Sequence, residues 1–288
     1  MANKIIKWLR IVRLHTLTAA FCPVFIGLLV ASKTCQIDWT IAIVTLLCAM
    51  AIQILANLVN DIYDYKRGAD KRDRSGYKRA LAQGEVSVES IKRAIKIDIC
   101  FCILLGAFLI LKGGVPILLI GLFSLLFAWL YTATKHSLSY LGIADIFVLL
   151  FFGPIASCGT TFLQTHTFSF ESMLLGLACG SLATCVLVVN NIRDYIDDKS
   201  VQKKTLTVRL GKKFSYAEYL FFMLLAVAMD FVSVGFVLKS WCVLLVVAVI
   251  MFILLLKCQE REYNDLLAKT GLINVLFCVL KTIDVFAL

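Results

Sequence analysis

Apolar residues run along this chain in blocks of seventeen or more, broken by short polar stretches. Neither the alternation of a half-buried strand nor the one-sided stripe of a soluble helix prevails. Blocks at 14–32, 39–60, 96–112, 115–134, 141–163, 172–192, 217–238, 241–257 and 271–288 are each long enough to cross a hydrocarbon core of about 30 Å. The pattern predicts an all-α, polytopic membrane bundle of about nine transmembrane helices. The last block carries Lys281 and Asp284 one turn apart, so eight is the alternative count. No Pro/Gly/Ser-rich linker divides the chain, which reads as a single transmembrane domain over 1–288. Asn-x-x-x-Asp at the end of both the second and the sixth block suggests a pseudo-repeat four helices long.

Composition sharpens this picture. With 60% hydrophobic residues, 17% charged residues and three prolines, the chain is too apolar for an ordinary soluble domain. The formal charge of +10 follows from topology. With the N-terminus in the cytoplasm, all but Lys33, Lys112, Lys239 and Lys281 of the 29 Lys and Arg residues fall on the cytoplasmic side, as the positive-inside rule requires. The basic excess therefore meets anionic lipid headgroups and implies no nucleic-acid partner. The basic N-terminal stretch leads into the first span without a convincing cleavage site, so it is read as part of the mature chain, in the inner membrane of the cell. The eleven cysteines lie mostly within apolar blocks and lack C-x-x-C spacing, which argues against zinc or a disulfide framework.

Two acidic clusters stand where apolar blocks give way to basic loops, on the cytoplasmic side by the same rule. The first is Asn57, Asn60, Asp61 and Asp64; at 100° per residue Asn57, Asp61 and Asp64 fall in a stripe about 60° wide. The second is Asn190, Asn191, Asp194, Asp197 and Asp198, in which Asn190, Asp194 and Asp198 repeat the i, i+4, i+8 spacing. Carboxylates at a membrane edge are costly unless a cation compensates them, and a divalent metal bridging to a diphosphate does so. Arg79, Lys203 and Lys204 lie where short loops return them toward a phosphate. Gly68 predicts a helix stop. The mixed-charge stretch beyond it, with Asp70, Arg72, Asp73, Arg74, Lys78 and Arg79, reads as a lid that orders on ligand. A third group comprises Tyr131, Lys135 and Asp145; Asp145 lies inside an apolar block and should face the bundle interior, with Lys135 or Arg13 as a structural partner or with a substrate role. His15, His136 and His166 are not spaced as a metal set.

The run N-x-x-N-D-x-x-D-x-x-x-G-x-D at 57–70, the run N-N-x-R-D-x-x-x-D at 190–198, TLTVRLG at 205–211, YTATK at 131–135 and FFG at 151–153 resemble the intramembrane aromatic prenyltransferase (UbiA-type) family over nearly the whole chain. The benzoate branch of that family has an acid where Gly68 stands, so the resemblance favours the branch that prenylates 1,4-dihydroxy-2-naphthoate in menaquinone synthesis. It implies transfer of a polyprenyl group from an allylic polyprenyl diphosphate to an aromatic acid, with decarboxylation. Asp61, Asp64, Asp194 and Asp198 would hold Mg²⁺, with Asn57 and Asn190 or Asn191 as neutral oxygen ligands and Asn60 at the substrate. Arg79, Lys203 and Lys204 would meet the diphosphate and Arg193 the acceptor's carboxylate, with Tyr131, Lys135 and Asp145 binding substrate. Another ring, such as 4-hydroxybenzoate or another dihydroxynaphthoate, and the haem O synthase reaction stay open within the family. A membrane transporter is the competing class, and the D-G-x-x-A-R signature of CDP-alcohol phosphotransferases is absent.

Overall fold

The structure is a computed structural model that describes residues 2–13, 16–70, 79–134, 137–234 and 240–286. Its regular elements are all helical: α1 (Ala2–Val12), α2 (Leu17–Ala31), α3 (Trp39–Lys66), α4 (Val88–Leu130), α5 (Leu138–Leu141), α6 (Ala144–Leu150), α7 (Ala156–Thr165), α8 (Phe170–Arg193), α9 (Tyr195–Ser200), α10 (Leu206–Leu210), α11 (Lys212–Val234), α12 (Ser240–Lys257) and α13 (Tyr263–Phe286). One π turn, Phe151–Ile155, joins α6 to α7 around Pro154.

Among the described residues, seven helical stretches are long and apolar enough to cross a membrane, and α2 is a shorter apolar helix. One of the seven crosses twice. A straight α4 of 43 residues would be about 65 Å long. Yet Ile91 and Ile95 near its start and Ala128 near its end join one packed cluster with Leu55, Leu58 and Ile62 of α3. The chain reverses at Gly114 (φ 63°, ψ −148°), and Pro116 lies in the first turn of the returning arm. Glycine takes this positive φ without steric cost, and proline is tolerated at a helix start, where its missing N–H loses no bond. The blocks at 96–112 and 115–134 are thus two arms of a hairpin, which with the other six long apolar helices and the shorter α2 gives about nine apolar segments among the described residues. Ile97, Leu104, Leu111 and Leu122 of α4 are exposed, as lipid-facing side chains should be.

Helix α8 is the axis of the bundle; 78% of its apolar window is buried. Its Gly176-x-x-x-Gly180 run allows backbone-to-backbone approach. A Cβ at Gly180 would stand 2.1 Å from the Leu149 carbonyl oxygen, and one at Gly176 would stand 2.8 Å from Pro154 Cα. Lipid supplies no hydrophobic force between helices, so close packing across small residues is a main source of attraction. The contact seats the π turn and α6 against α8 and so fixes where Asp145, in the first turn of α6, is held.

The charges of the last block are resolved by pairing. Lys281 Nζ donates to Asp230 Oδ1 of α11 at 2.8 Å and to Asp284 Oδ2 at 2.9 Å. Ser240 Oγ of α12 lies 2.6 Å from one oxygen of each carboxylate. Lys281 is 2% exposed, so the charges that weaken this block as a lipid-facing span lie inside the bundle. The helix also starts earlier than the apolar block does, at Tyr263.

Candidate active site

Helix α3 continues through Lys66, beyond its apolar block, and so keeps Asn57, Asp61 and Asp64 on one helical face. It ends at Gly68 (φ 71°), with the Ala69 N–H donating to the Asp64 carbonyl at 2.9 Å. The second cluster departs from the expected straight stripe. Helix α8 stops at Arg193, and Asp194 (φ −87°, ψ 9°) forms the joint to α9. The spacing survives because the Asp194 N–H donates to Asn190 O at 3.0 Å and the Asp198 N–H to Asp194 O at 2.8 Å.

The four acids are deeply buried: Asp61 is 1% exposed, Asp64 6%, Asp194 1% and Asp198 4%. Bare carboxylates could not persist there, and three of them have cationic partners. Arg13 donates through Nη2 to Asp61, and Arg79 Nε lies 3.9 Å from Asp61 and 3.7 Å from the buried Asp70. Arg193 grips Asp194 with two parallel bonds, from Nε at 2.8 Å and Nη2 at 3.1 Å, and also donates to Asn190 Oδ1 and Asn264 Oδ1. Lys203 Nζ stands 3.3 Å from Asp198. Burial disfavours the Lys203 ammonium, but Asp198, Asp64, Tyr131 and Asp194 outweigh it, so its pKa is raised and it stays charged.

A cavity of about 380 Å³ begins at these residues. Arg13, Asn57, Asn60, Asp64, Arg79, Tyr131, Asp145, Asn190, Asn191, Arg193 and Lys203 line its polar end, and Ile52, Ile110, Ile117, Ile120, Phe147, Phe151 and Leu163 contribute to its apolar body. Asp64 and Thr45 both line it; nineteen positions apart on α3, they are separated by about 28 Å, nearly the depth of a bilayer core. Asp61, Asp194 and Asp198 are not in the lining. Their cations are, which puts a layer of Arg and Lys between these three acids and the chamber.

Other expected residues fall differently. Lys204 is exposed, and its backbone N–H donates to Tyr140 O at 3.1 Å; the turn after α9 presents Lys203 to the chamber instead. Asn57 gives its amide to Val12 O and Thr16 Oγ1, both at 3.0 Å, and so anchors the link from α1 to α2. Arg193 is already bonded to Asp194 and two asparagines. Arg13, whose left-handed φ of 56° closes α1, pairs with Asp61 and not with Asp145. Lys135, His15 and His136, and Arg72, Asp73, Arg74 and Lys78 of the expected lid, lie outside the described residues. The sequence marks Arg13 only as a partner for Asp145, and its place at Asp61 has no distinguishing signal among the N-terminal cations; Arg67, which bonds to Thr134 O and lies 4.3 Å over the Tyr140 ring, braces the segment after α4 and is not in the chamber lining.

Among the described residues, no three His, Cys, Asp or Glu side chains gather closely enough to hold one ion together. The donors nevertheless suit Mg²⁺. Asp64 Oδ1 is buried without a hydrogen-bond partner, carboxylate oxygens are hard ligands, and Mg²⁺ keeps several waters, so one or two carboxylates per ion suffice.

The family model described as the UbiA prenyltransferase family matches residues 20–273. The chain belongs to the UbiA prenyltransferase family. It is 37% identical over 211 residues to the 1,4-dihydroxy-2-naphthoate octaprenyltransferase of Escherichia coli K12, covering 71% of this chain and 68% of that protein. The enzyme of the same name from Mycobacterium tuberculosis is 33% identical over 242 residues, covering 84% and 82%. A UbiA homologue from Archaeoglobus fulgidus, solved with DMAPP and Mg²⁺, superposes with a TM-score of 0.67 at 16% identity, covering 98% of this chain and 99% of that one. The homologue from Aeropyrum pernix gives 0.71 at 16% identity, covering 93% and 98%. This chain is therefore a multi-pass membrane prenyltransferase, resembling the dihydroxynaphthoate enzymes, with the UbiA fold.

Proposed function

We propose that this UbiA prenyltransferase moves a polyprenyl group from an allylic polyprenyl diphosphate to 1,4-dihydroxy-2-naphthoate, with loss of the carboxylate as CO₂. The whole chain acts as one catalytic domain in the inner membrane, its polar end facing the cytoplasm. The observation that carries the reading is one chamber with acids and cations at one end and an apolar body that continues for nearly a bilayer's depth. A diphosphate with an isoprenoid tail has that same division. A transporter would place its charges near the midplane, whereas these charges stand at one end.

Asp61, Asp64, Asp194 and Asp198 would hold Mg²⁺, with Asn60 and Asn191 as neutral oxygen donors. Bound there, the metal supplies charge neutralisation to the departing diphosphate. The protein's own cations complete the task. Lys203 and Arg79, which rest against Asp198, Asp61 and Asp70, would meet the diphosphate oxygens and favour ionisation of the allylic carbon–oxygen bond. The apolar walls keep water from the resulting cation. Arg193 and Arg13 both line the chamber where the acceptor's carboxylate would lie. Arg13 is the better placed of the two, since its Nε has no partner.

The test is direct. Purified protein is incubated with Mg²⁺, an allylic polyprenyl diphosphate and a panel of aromatic acids, and the lipid products are analysed by mass spectrometry. A product with the mass of the prenylated, decarboxylated naphthalenediol is expected. Release of diphosphate with no prenylated ring would overturn the reading.

A further inference from the structure

Asp145 is 4% exposed and lines the chamber, and its Oδ1 has no hydrogen-bond partner. It belongs to neither diphosphate cluster. None of the described Arg and Lys residues is bonded to it, whereas Asp61, Asp194 and Asp198 are each paired to a cation. Tyr131 and the buried Glu218 of α11 lie near it, and aromatic rings line the adjoining wall. Phe127 lies 4.5 Å from Phe147 and 4.8 Å from Phe151, centroid to centroid, and these three rings, with Tyr131, line the chamber on the helices that flank Asp145. A flat ring can pack against such a wall with its edge turned to a carboxylate. A buried acceptor without a partner costs free energy until a donor arrives, and a ring hydroxyl is the donor that the proposed acceptor brings.

We infer that Asp145 accepts a hydrogen bond from the hydroxyl beside the carboxylated ring carbon and holds its proton while that carbon attacks the allylic centre. This assignment rests on the prenyl-transfer reading above. The new carbon–carbon bond forms as the allylic carbon–oxygen bond breaks, and the diphosphate leaves with the electron pair. With its proton on Asp145, the hydroxyl oxygen becomes a ketone. The ring then carries a carboxylate β to that ketone. Cleavage of the carbon–carboxylate bond releases CO₂, its electrons restore the aromatic ring as a naphtholate, and the proton returns from Asp145 to the oxygen. No net proton is consumed.

The test compares wild type with Asp145→Asn and Asp145→Glu on 1,4-dihydroxy-2-naphthoate and on the analogue whose hydroxyl beside the carboxylate is methylated. Asp145→Asn keeps the shape of the side chain, and thermal unfolding in detergent checks the fold. We expect kcat on the diol to fall about 10²-fold or more, with KM for the prenyl diphosphate within twofold of wild type and partial recovery in Asp145→Glu. On the methylated analogue the ratio of wild type to Asp145→Asn should approach one, which a purely structural role would not produce. An Asp145→Asn enzyme retaining more than a third of kcat on the diol, or losing as much on the analogue, overturns the inference. If wild type prenylates no hydroxylated aromatic acid while still binding prenyl diphosphate, the functional reading fails first and this assignment fails with it.

Discussion

Asp61 and Asp64 stand nearly one turn apart on the same face of α3, yet Arg13 is bonded to Asp61 whereas Asp64 Oδ1 has no partner. The two acids should therefore fail differently. Asp61→Ala strands the buried Arg13 guanidinium, a loss of about 3–5 kcal/mol for one side of a buried pair, and should lower both Tm and activity. Asp64→Ala removes no partner and should nearly abolish turnover at unchanged Tm. Parallel thermal unfolding and turnover assays on the two variants check this; equal loss of Tm would show that the partnership is not what separates them.

Both clusters are expected to be necessary. Asp198→Ala should reduce turnover to near background while membrane insertion is kept, as should Asp64→Ala. A folded Asp198→Ala protein with most of its activity would remove α9 from the mechanism.

Lys203 and Lys204 are adjacent in sequence and opposite in placement. Lys203→Met should lower kcat about 10²-fold, the scale seen when one donor to a developing anion is lost, whereas Lys204→Met should leave kcat within about threefold, as expected for an exposed side chain. Steady-state kinetics at saturating Mg²⁺ separate the two. The reverse order would mean that the α9–α10 turn presents the other lysine.

Ring selectivity tests the branch assignment. With 1,4-dihydroxy-2-naphthoate and 4-hydroxybenzoate at equal concentrations, the naphthoate product should dominate by mass spectrometry. Dominance of the benzoate product would leave the family in place and exclude this branch.

Helix α8 packs too closely against the π turn to accept a side chain at Gly180. Gly180→Leu should lower Tm sharply, beyond the roughly 1–3 kcal/mol usual for overpacking, because the clash is with the Leu149 carbonyl and not with a side chain that could turn away. Gly106→Ala, at a position where a Cβ meets nothing within 4 Å, is the control.

The spans were legible because a bilayer demands long apolar runs, and the acids were legible because nothing about insertion asks for carboxylates at those places. The reversal between the apolar blocks at 96–112 and 115–134 was implied by reading them as separate spans, and the Gly113-Gly114 step with Pro116 is the local feature that makes it. Less visible were features decided by distant partners. The adjacent α9–α10 lysines are indistinguishable by spacing, and only the turn after α9 decides between them. Arg13 and Asp61 are 48 positions apart, so their pairing depends on how α1 and α3 pack.

The buried Lys281 also bears on how the protein is made. Asp230 enters the bilayer on α11, two crossings before the lysine that neutralises it has been synthesised. An unpaired acid costs up to about 3 kcal/mol at the centre of a span and less toward its end, and Asp230 lies four residues before the end of α11, so α11 carries part of that cost until α13 arrives. Ribosome stalling or truncation before Lys281 should leave a chain whose α11 lacks its counter-charge and invites quality-control proteolysis. Helix α13 thus brings the counter-charge that α11 lacks until Lys281 is made.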